Sequence, residues 1–162
     1  MSEITQRVYN ILDEKGINYE KVEHTAVYTI DEMLAIGLPH SDRIAKNLFV
    51  RDDKKRNYYL FTVSEEKRAD MKELRRRLGT RPLTFASEDD LGAIMGLQKG
   101  SVTPFGTLND SEHKVQVYID ESFRGGLIGI HPNENTATVF MAGEDFLNML
   151  TDNGVKAEYF DF

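Results

Sequence analysis

Short helical periodicities and short alternating runs follow one another along this chain without a regular βαβ rhythm. That irregular order points to an α+β fold. Residues 3–15 put Ile4, Val8, Ile11 and Leu12 on one stripe, with Gly16 as the stop, and predict a helix. Tyr19–Glu23 reads as a short strand. Thr29 followed by Glu32 is a capping box that opens a short helix, ended by Gly37 or Pro39. Residues 45–51 and 58–63 are strand-like arms on either side of a polar turn, 52–57, and predict a hairpin. Residues 69–78 are helical, with Met71, Leu74 and Leu78 inward and Gly79 as the stop. Leu83–Phe85 is a brief strand, and Ser87 caps the acidic first turn of a helix carrying Leu91, Ile94 and Met95. Residues 96–109 hold Gly96, Gly100, Pro104 and Gly106 without periodicity and read as an ordered loop. Residues 115–119, 127–130, 137–140 and 155–160 predict four more strands, with a helix over 143–150 before the last. The expected architecture is a mixed, mostly antiparallel sheet surrounded by helices. No repeat, low-complexity stretch or linker interrupts it, so residues 1–162 are expected to form one domain.

Composition narrows the chemistry. With 40% hydrophobic residues the chain can build a core, which excludes intrinsic disorder. There is no cysteine, so disulfides, thiolate metal sites and cysteine nucleophiles are excluded. No apolar run approaches the roughly 18 residues of a membrane span. Residues 1–5 lack the basic start and apolar run of a secretory signal, so a cytoplasmic location is expected. Net charge is −7, but it is unevenly spread. Residues 43–81 hold thirteen Lys/Arg against six Asp/Glu, so that window is +7 and the remainder −14. A basic sector on an acidic body suits a polyanion docking on one side, although solvated helix and hairpin faces would look the same.

Familiar catalytic signatures are absent. The four histidines, 24, 40, 113 and 131, do not pair at metal-ligand spacing. There is no Gly-x-Ser-x-Gly elbow and no phosphate loop. No metal or cofactor is expected, and an enzyme built this way is limited to bonds that are already labile. Three features remain. Lys46-Asn47-Leu48-Phe49 opens the hairpin, and its lysine is either exposed on one sheet face or aimed into a cleft. Gly100-Ser101-Val102-Thr103-Pro104 is either a plain turn or a rigid display of backbone N–H groups. Gly129-Ile130-His131-Pro132 ends a strand, and His131 is either a site residue or a turn histidine bonded to backbone.

Taken in this order, the three motifs resemble the YbaK-type aminoacyl-tRNA editing family, freestanding relatives of the editing domain inserted in some bacterial prolyl-tRNA synthetases. Thr29, Glu32, residues 70–74 and 85–87 add to the resemblance, which runs from His24 to the helix at Gly143. The Lys-Asn-Leu-Phe start is more similar to the branch that hydrolyses Ala-tRNA(Pro) than to the Cys-tRNA(Pro) branch. The resemblance implies an editing-domain fold and ester hydrolysis in trans, with a positioned water and no metal. It makes Lys46 the essential side chain, holding the terminal adenosine or its phosphate with Asn47 beside it. Gly100, with Ser101, Val102, Thr103 and Pro104, would supply oxyanion donors and substrate contacts. Gly129 and His131 would line the aminoacyl pocket, His131 as base or as wall, and Thr29 would touch substrate. Lys54, Lys55 and Arg56 on the hairpin, or Arg75, Arg76 and Arg77 on the helix, would grip acceptor-stem phosphates. The implied partners are the tRNA(Pro) acceptor end and, transiently, prolyl-tRNA synthetase. The alternatives are a deacylase for Cys-tRNA(Pro) or another small aminoacyl-tRNA, and a binding module without catalysis.

Overall fold

A computed structural model describes residues 2–162. Its eight strands form two sheets. In the smaller, β1 (Tyr19–Glu23), β7 (Ala137–Ala142) and β6 (Leu127–Ile130) lie in that order, antiparallel throughout. The larger has the order β4 (Leu83–Phe85), β2 (Ala45–Asp52), β3 (Tyr58–Ser64), β5 (Val115–Asp120), β8 (Lys156–Phe160). Its β4–β2–β3 half is antiparallel and its β3–β5–β8 half parallel. The mixed, mostly antiparallel α+β architecture is therefore as expected, but it is divided between two sheets. A single parallel bridge, Ile44 to Gly129, links them just before β2 begins.

The middle of the large sheet is buried on both faces, which is why β3 carries a nearly continuous apolar run. Phe49 and Leu60 face the main core, with Val117, Ile128, Val139 and Met141 from neighbouring strands of both sheets. Helix α1 (Glu3–Glu14) adds Val8 and Leu12, and helix α5 (Gly143–Asp152) adds Phe146 and Leu150. The alternate residues Val50, Phe61 and Val63 point to the opposite face and pack on Leu74 of helix α3 (Met71–Leu78). Fully burying an aliphatic or Phe side chain contributes about 1.5–3 kcal/mol, so both faces stabilise the sheet.

Local signals set the helix ends. The Thr29 hydroxyl accepts from the Glu32 N–H and starts helix α2 (Ile30–Ala35). Ser87 does the same for helix α4 (Glu88–Met95). Asp70 caps α3, which begins two residues later than its periodicity predicts. The loop over 96–109 ends as a 3-10 turn, Pro104–Asn109, whose Pro104, Phe105 and Leu108 are buried against the core. Among the described residues, no helix is long and apolar enough to cross a membrane.

Candidate active site

Where the two sheets meet, the chain leaves a cavity of about 260 Å³. The segment between β1 and α2 gives it Val27, Tyr28 and Thr29; Ile30 and Met33 come from α2. Ile44, Ala45, Lys46 and Asn47 come from the start of β2, Gly100 and Val102 from the glycine–proline loop, and His131 from the end of β6. Its floor is apolar: Val27, Met33 and Ile44 pack together with Phe140. Two hydrogen-bonded ties hold the walls in place. Asn135 exchanges bonds with the Val27 backbone, its side-chain amide donating to the Val27 carbonyl at 3.0 Å. The Thr103 hydroxyl donates to the His131 carbonyl at 2.6 Å, which fastens the loop to β6.

Six of the residues singled out by sequence thus share one cavity: Thr29, Lys46, Asn47, Gly100, Val102 and His131. Four others stand behind the wall. Ser101 N–H is spent on the Gln98 carbonyl. Thr103 and Pro104 are buried. Gly129 sits under the floor, where an added Cβ would come within 2.6 Å of the Phe140 ring and 3.2 Å of Ile44. Its glycine is required by packing. By contrast, the N–H groups of Gly100 and Val102 have no hydrogen-bond partner among the described residues. Gly100 has φ +86°, and a Cβ there would lie 2.5 Å from the exposed Tyr28 ring.

Lys46 donates from its ammonium to the Lys67 carbonyl. Lys67 in turn binds the buried Asp120 carboxylate at 2.8 Å. Burial alone would raise the Asp120 pKa, but the bonds from Lys67, Ser122 and Ser64 together hold it below the ordinary carboxylate range. Asn47 has a buried side-chain oxygen without a partner. The His131 Nδ1–H donates to the Ala137 carbonyl at 2.9 Å, which leaves Nε2 as an acceptor. Burial, with a smaller contribution from His24, pushes the imidazole below its usual value, so the ring is neutral at pH 7. The His131 ring is thus bonded to backbone and also lines the cavity.

The basic clusters lie elsewhere. Lys54, Lys55 and Arg56 occupy the hairpin turn, about 20 Å along β2 from Lys46 at a strand rise of roughly 3.3 Å per residue. The buried Asp52 shapes that turn by accepting from the N–H groups of Lys54 and Arg56 and from the Asn57 amide. On α3, Arg76 pairs with Glu73, Arg77 lies over the Phe160 ring at 4.3 Å, and Arg75 has no ion pair among the described residues. Sequence reasoning missed Tyr28, Met33 and Ile44 as wall residues. Their signal was the Thr29 capping box, which fixes where the chain turns beside the cavity. It also missed Lys67 and Asp120, which only the parallel pairing of β3 with β5 brings together.

A model of the aminoacyl-tRNA editing domain matches residues 24–149. This chain belongs to the aminoacyl-tRNA editing domain family. It is an aminoacyl-tRNA deacylase, as the motifs imply. It is 43% identical over 150 residues to the prolyl-tRNA editing protein ProX of Acetoanaerobium sticklandii, covering 92% of each chain. It is 32% identical to prolyl-tRNA synthetase associated domain-containing protein 1 of Mus musculus, covering 94% of this chain and 93% of that one. Among solved structures, one described as a candidate trans-editing enzyme for prolyl tRNA synthetase superposes with a TM-score of 0.71. At 24% identity, covering 100% of this chain and 99% of the other, it supports the fold.

Proposed function

We propose that residues 1–162 act as one editing domain that hydrolyses mischarged tRNA(Pro) in trans, with Ala-tRNA(Pro) as the substrate. The prolyl-tRNA editing relative supports the tRNA(Pro) class. The observation that carries the finer reading is one small cavity joining Lys46, the free N–H groups of Gly100 and Val102, and neutral His131.

The aminoacyl ester is already activated, so the protein's task is placement and charge stabilisation. The alanyl methyl rests on Val27, Met33 and Ile44. Water adds to the ester carbonyl carbon, and the Gly100 and Val102 N–H groups meet the oxyanion. The acyl C–O bond then breaks, releasing alanine and the ribose hydroxyl. Lys46 leaves the Lys67 carbonyl for the terminal phosphate or adenosine, and Asn47 stands beside it. Thr29 keeps its hydroxyl hydrogen to donate while its oxygen caps α2. His131 Nε2 accepts a hydrogen bond from the water or the substrate. Ser101, Thr103, Pro104 and Gly129 support this wall from behind.

A synthetase site built for proline cannot reject alanine strongly, because each missing methylene is worth only about 1–3 kcal/mol. A second, smaller site accepts alanine and excludes the proline ring by clash. The basic hairpin turn, set back from the cavity, suits acceptor-stem phosphates beyond the single-stranded 3′ end, and the Arg75–Arg77 helix end is the second candidate grip. No resident metal or cofactor enters this scheme, and prolyl-tRNA synthetase is the transient protein partner. Deacylation of Ala-, Cys- and Pro-tRNA(Pro) measured side by side tests the reading. Fast loss of alanine with proline retained is expected. Loss of cysteine alone would move the substrate to the neighbouring class, and loss of none would make the chain a binding module.

A further inference from the structure

Asp120 is fully buried at the end of β5, and the hydrolysis scheme gives it no task. Its hydrogen bonds converge on one turn. Oδ2 accepts from the Ser64 N–H at 2.9 Å, where β3 ends. Oδ1 accepts from the Lys67 ammonium at 2.8 Å and from the Ser122 N–H at 3.0 Å. The turn is closed by the Lys67 N–H, which donates to the Ser64 carbonyl at 3.0 Å. Asp120 thus holds both ends of residues 64–67. The Lys67 carbonyl, at the end of that turn, is the group that receives the Lys46 ammonium. A second carboxylate, Asp161, comes within 3.8 Å of the Lys67 ammonium, but its side chain is 82% exposed.

We propose that Asp120 is a positioning residue for the hydrolysis, acting on Lys46 through the side chain and carbonyl of Lys67. The inference rests on the deacylase reading above, because it concerns how Lys46 is held before it turns to the substrate. Three considerations carry it. A lysine has a flexible four-carbon stem, so its ammonium is placed by whatever accepts its hydrogens. Here that acceptor is a backbone carbonyl on a turn that a buried carboxylate ties down at both ends. The intervening residue also sets the strength of the hold. A carboxylate bonded directly to Lys46 would make a strong charge-assisted pair and resist its release to the substrate. With the Lys67 cation on Asp120, the anchor's charge is spent on the turn, and Lys46 is kept by a neutral carbonyl. A misplacement of about 1 Å can cost on the order of 100-fold in rate, so loosening one end of this turn is felt at Lys46.

Lys67→Met tests the proposal, because it removes the ammonium and keeps the carbonyl and the backbone bonds of the turn. Deacylation of Ala-tRNA(Pro) should show kcat lowered about tenfold with KM within about twofold. Lys67→Arg, which keeps a cation for Asp120, should recover most of the rate, and Asp161→Asn should leave it unchanged. The deciding measurement places Lys67→Met on Lys46→Ala in single-turnover assays. With no lysine to position, the added loss should be under about twofold. A tenfold loss in both backgrounds would show a merely structural role and overturn the proposal. A raised KM with unchanged kcat would also overturn it, making Lys67 a direct phosphate contact. Asp120→Asn should repeat the Lys67→Met pattern; should it fail to fold, the Lys67 cycle still decides. Crystal structures of the wild type and Lys67→Met give a readout free of turnover. The Lys46 ammonium is expected on the residue-67 carbonyl in the first and displaced from it in the second. An undisturbed Lys46 overturns the proposal whether or not any aminoacyl-tRNA is cleaved, whereas a wild type that cleaves none refutes the deacylase reading separately.

Discussion

The two ends of β2 are built in opposite ways. At its start, polar groups are left unspent: the Asn47 side-chain oxygen and the Gly100 and Val102 N–H groups have no partner among the described residues. At its far end, the buried Asp52 satisfies two N–H groups and the Asn57 amide, and the cations of the turn project outward. The Asn47 oxygen is buried, and leaving such a group unpaired costs about 1–3 kcal/mol, whereas the half-buried Gly100 and Val102 N–H groups stay open to a ligand. The satisfied turn needs nothing further for its own stability. On the proposed reading, the contrast separates an end for chemistry from an end that offers charge.

Changes at the cavity end should therefore strike turnover, and changes at the turn should strike affinity. The largest effect is expected from Lys46→Ala, a loss of kcat of about 100-fold or more with an unchanged melting temperature, measured by single-turnover deacylation. Wild-type turnover in that variant would detach the lysine from the reaction. Gly100→Ala adds a Cβ that meets the Tyr28 ring and forces a side chain into the left-handed region. It should lower kcat about tenfold and stability by about 1 kcal/mol, read by kinetics and thermal melting. Reversing Lys54, Lys55 and Arg56 to glutamate together should raise KM about fivefold and flatten its salt dependence, with kcat unchanged. A drop in kcat there would erase the distinction between the two ends.

The pH responses sharpen the contrast. Because burial holds the His131 imidazole below its ordinary value, kcat should stay level as pH falls from 8 to about 6.5 and decline only at lower pH. An inflection above the ordinary histidine value would contradict a neutral, buried ring. Burial works against ionising Asp52, but its hydrogen bonds prevail and keep its pKa low. Its stabilisation is complete above the unfolded carboxylate's pKa and is lost as pH falls through the folded one. Asp52→Asn should flatten that acid limb of the stability curve while barely changing kcat, the smallest functional effect of the series.

Much of the fold was legible in residue patterns, for definite reasons. Thr29 with Glu32, Ser87, Gly79 and Gly96 punctuate helices locally, and the hairpin over β2 and β3 announces itself through its polar turn. Strand partners across the chain carry no such local mark. Nothing near residue 67 signals Asp120, and nothing near Ile44 signals Gly129, so the division into two sheets and the Lys46–Lys67–Asp120 chain emerge only from tertiary pairing. The same limit applies to the site. Sequence order brought Lys46, Gly100 and His131 forward together, but it could not distinguish Gly100, which faces the cavity, from Gly129, which makes room beneath it for Phe140.

The most direct test is a crystal structure with adenosine carrying alanine at the 3′ position through a non-hydrolysable amide. The account predicts the alanyl methyl against Met33 and Ile44, its carbonyl oxygen within hydrogen-bonding distance of the Gly100 or Val102 N–H, and the Lys46 ammonium turned from Lys67 toward the nucleotide. An alanyl group bound outside this cavity, or a carbonyl facing away from both N–H groups, would contradict it.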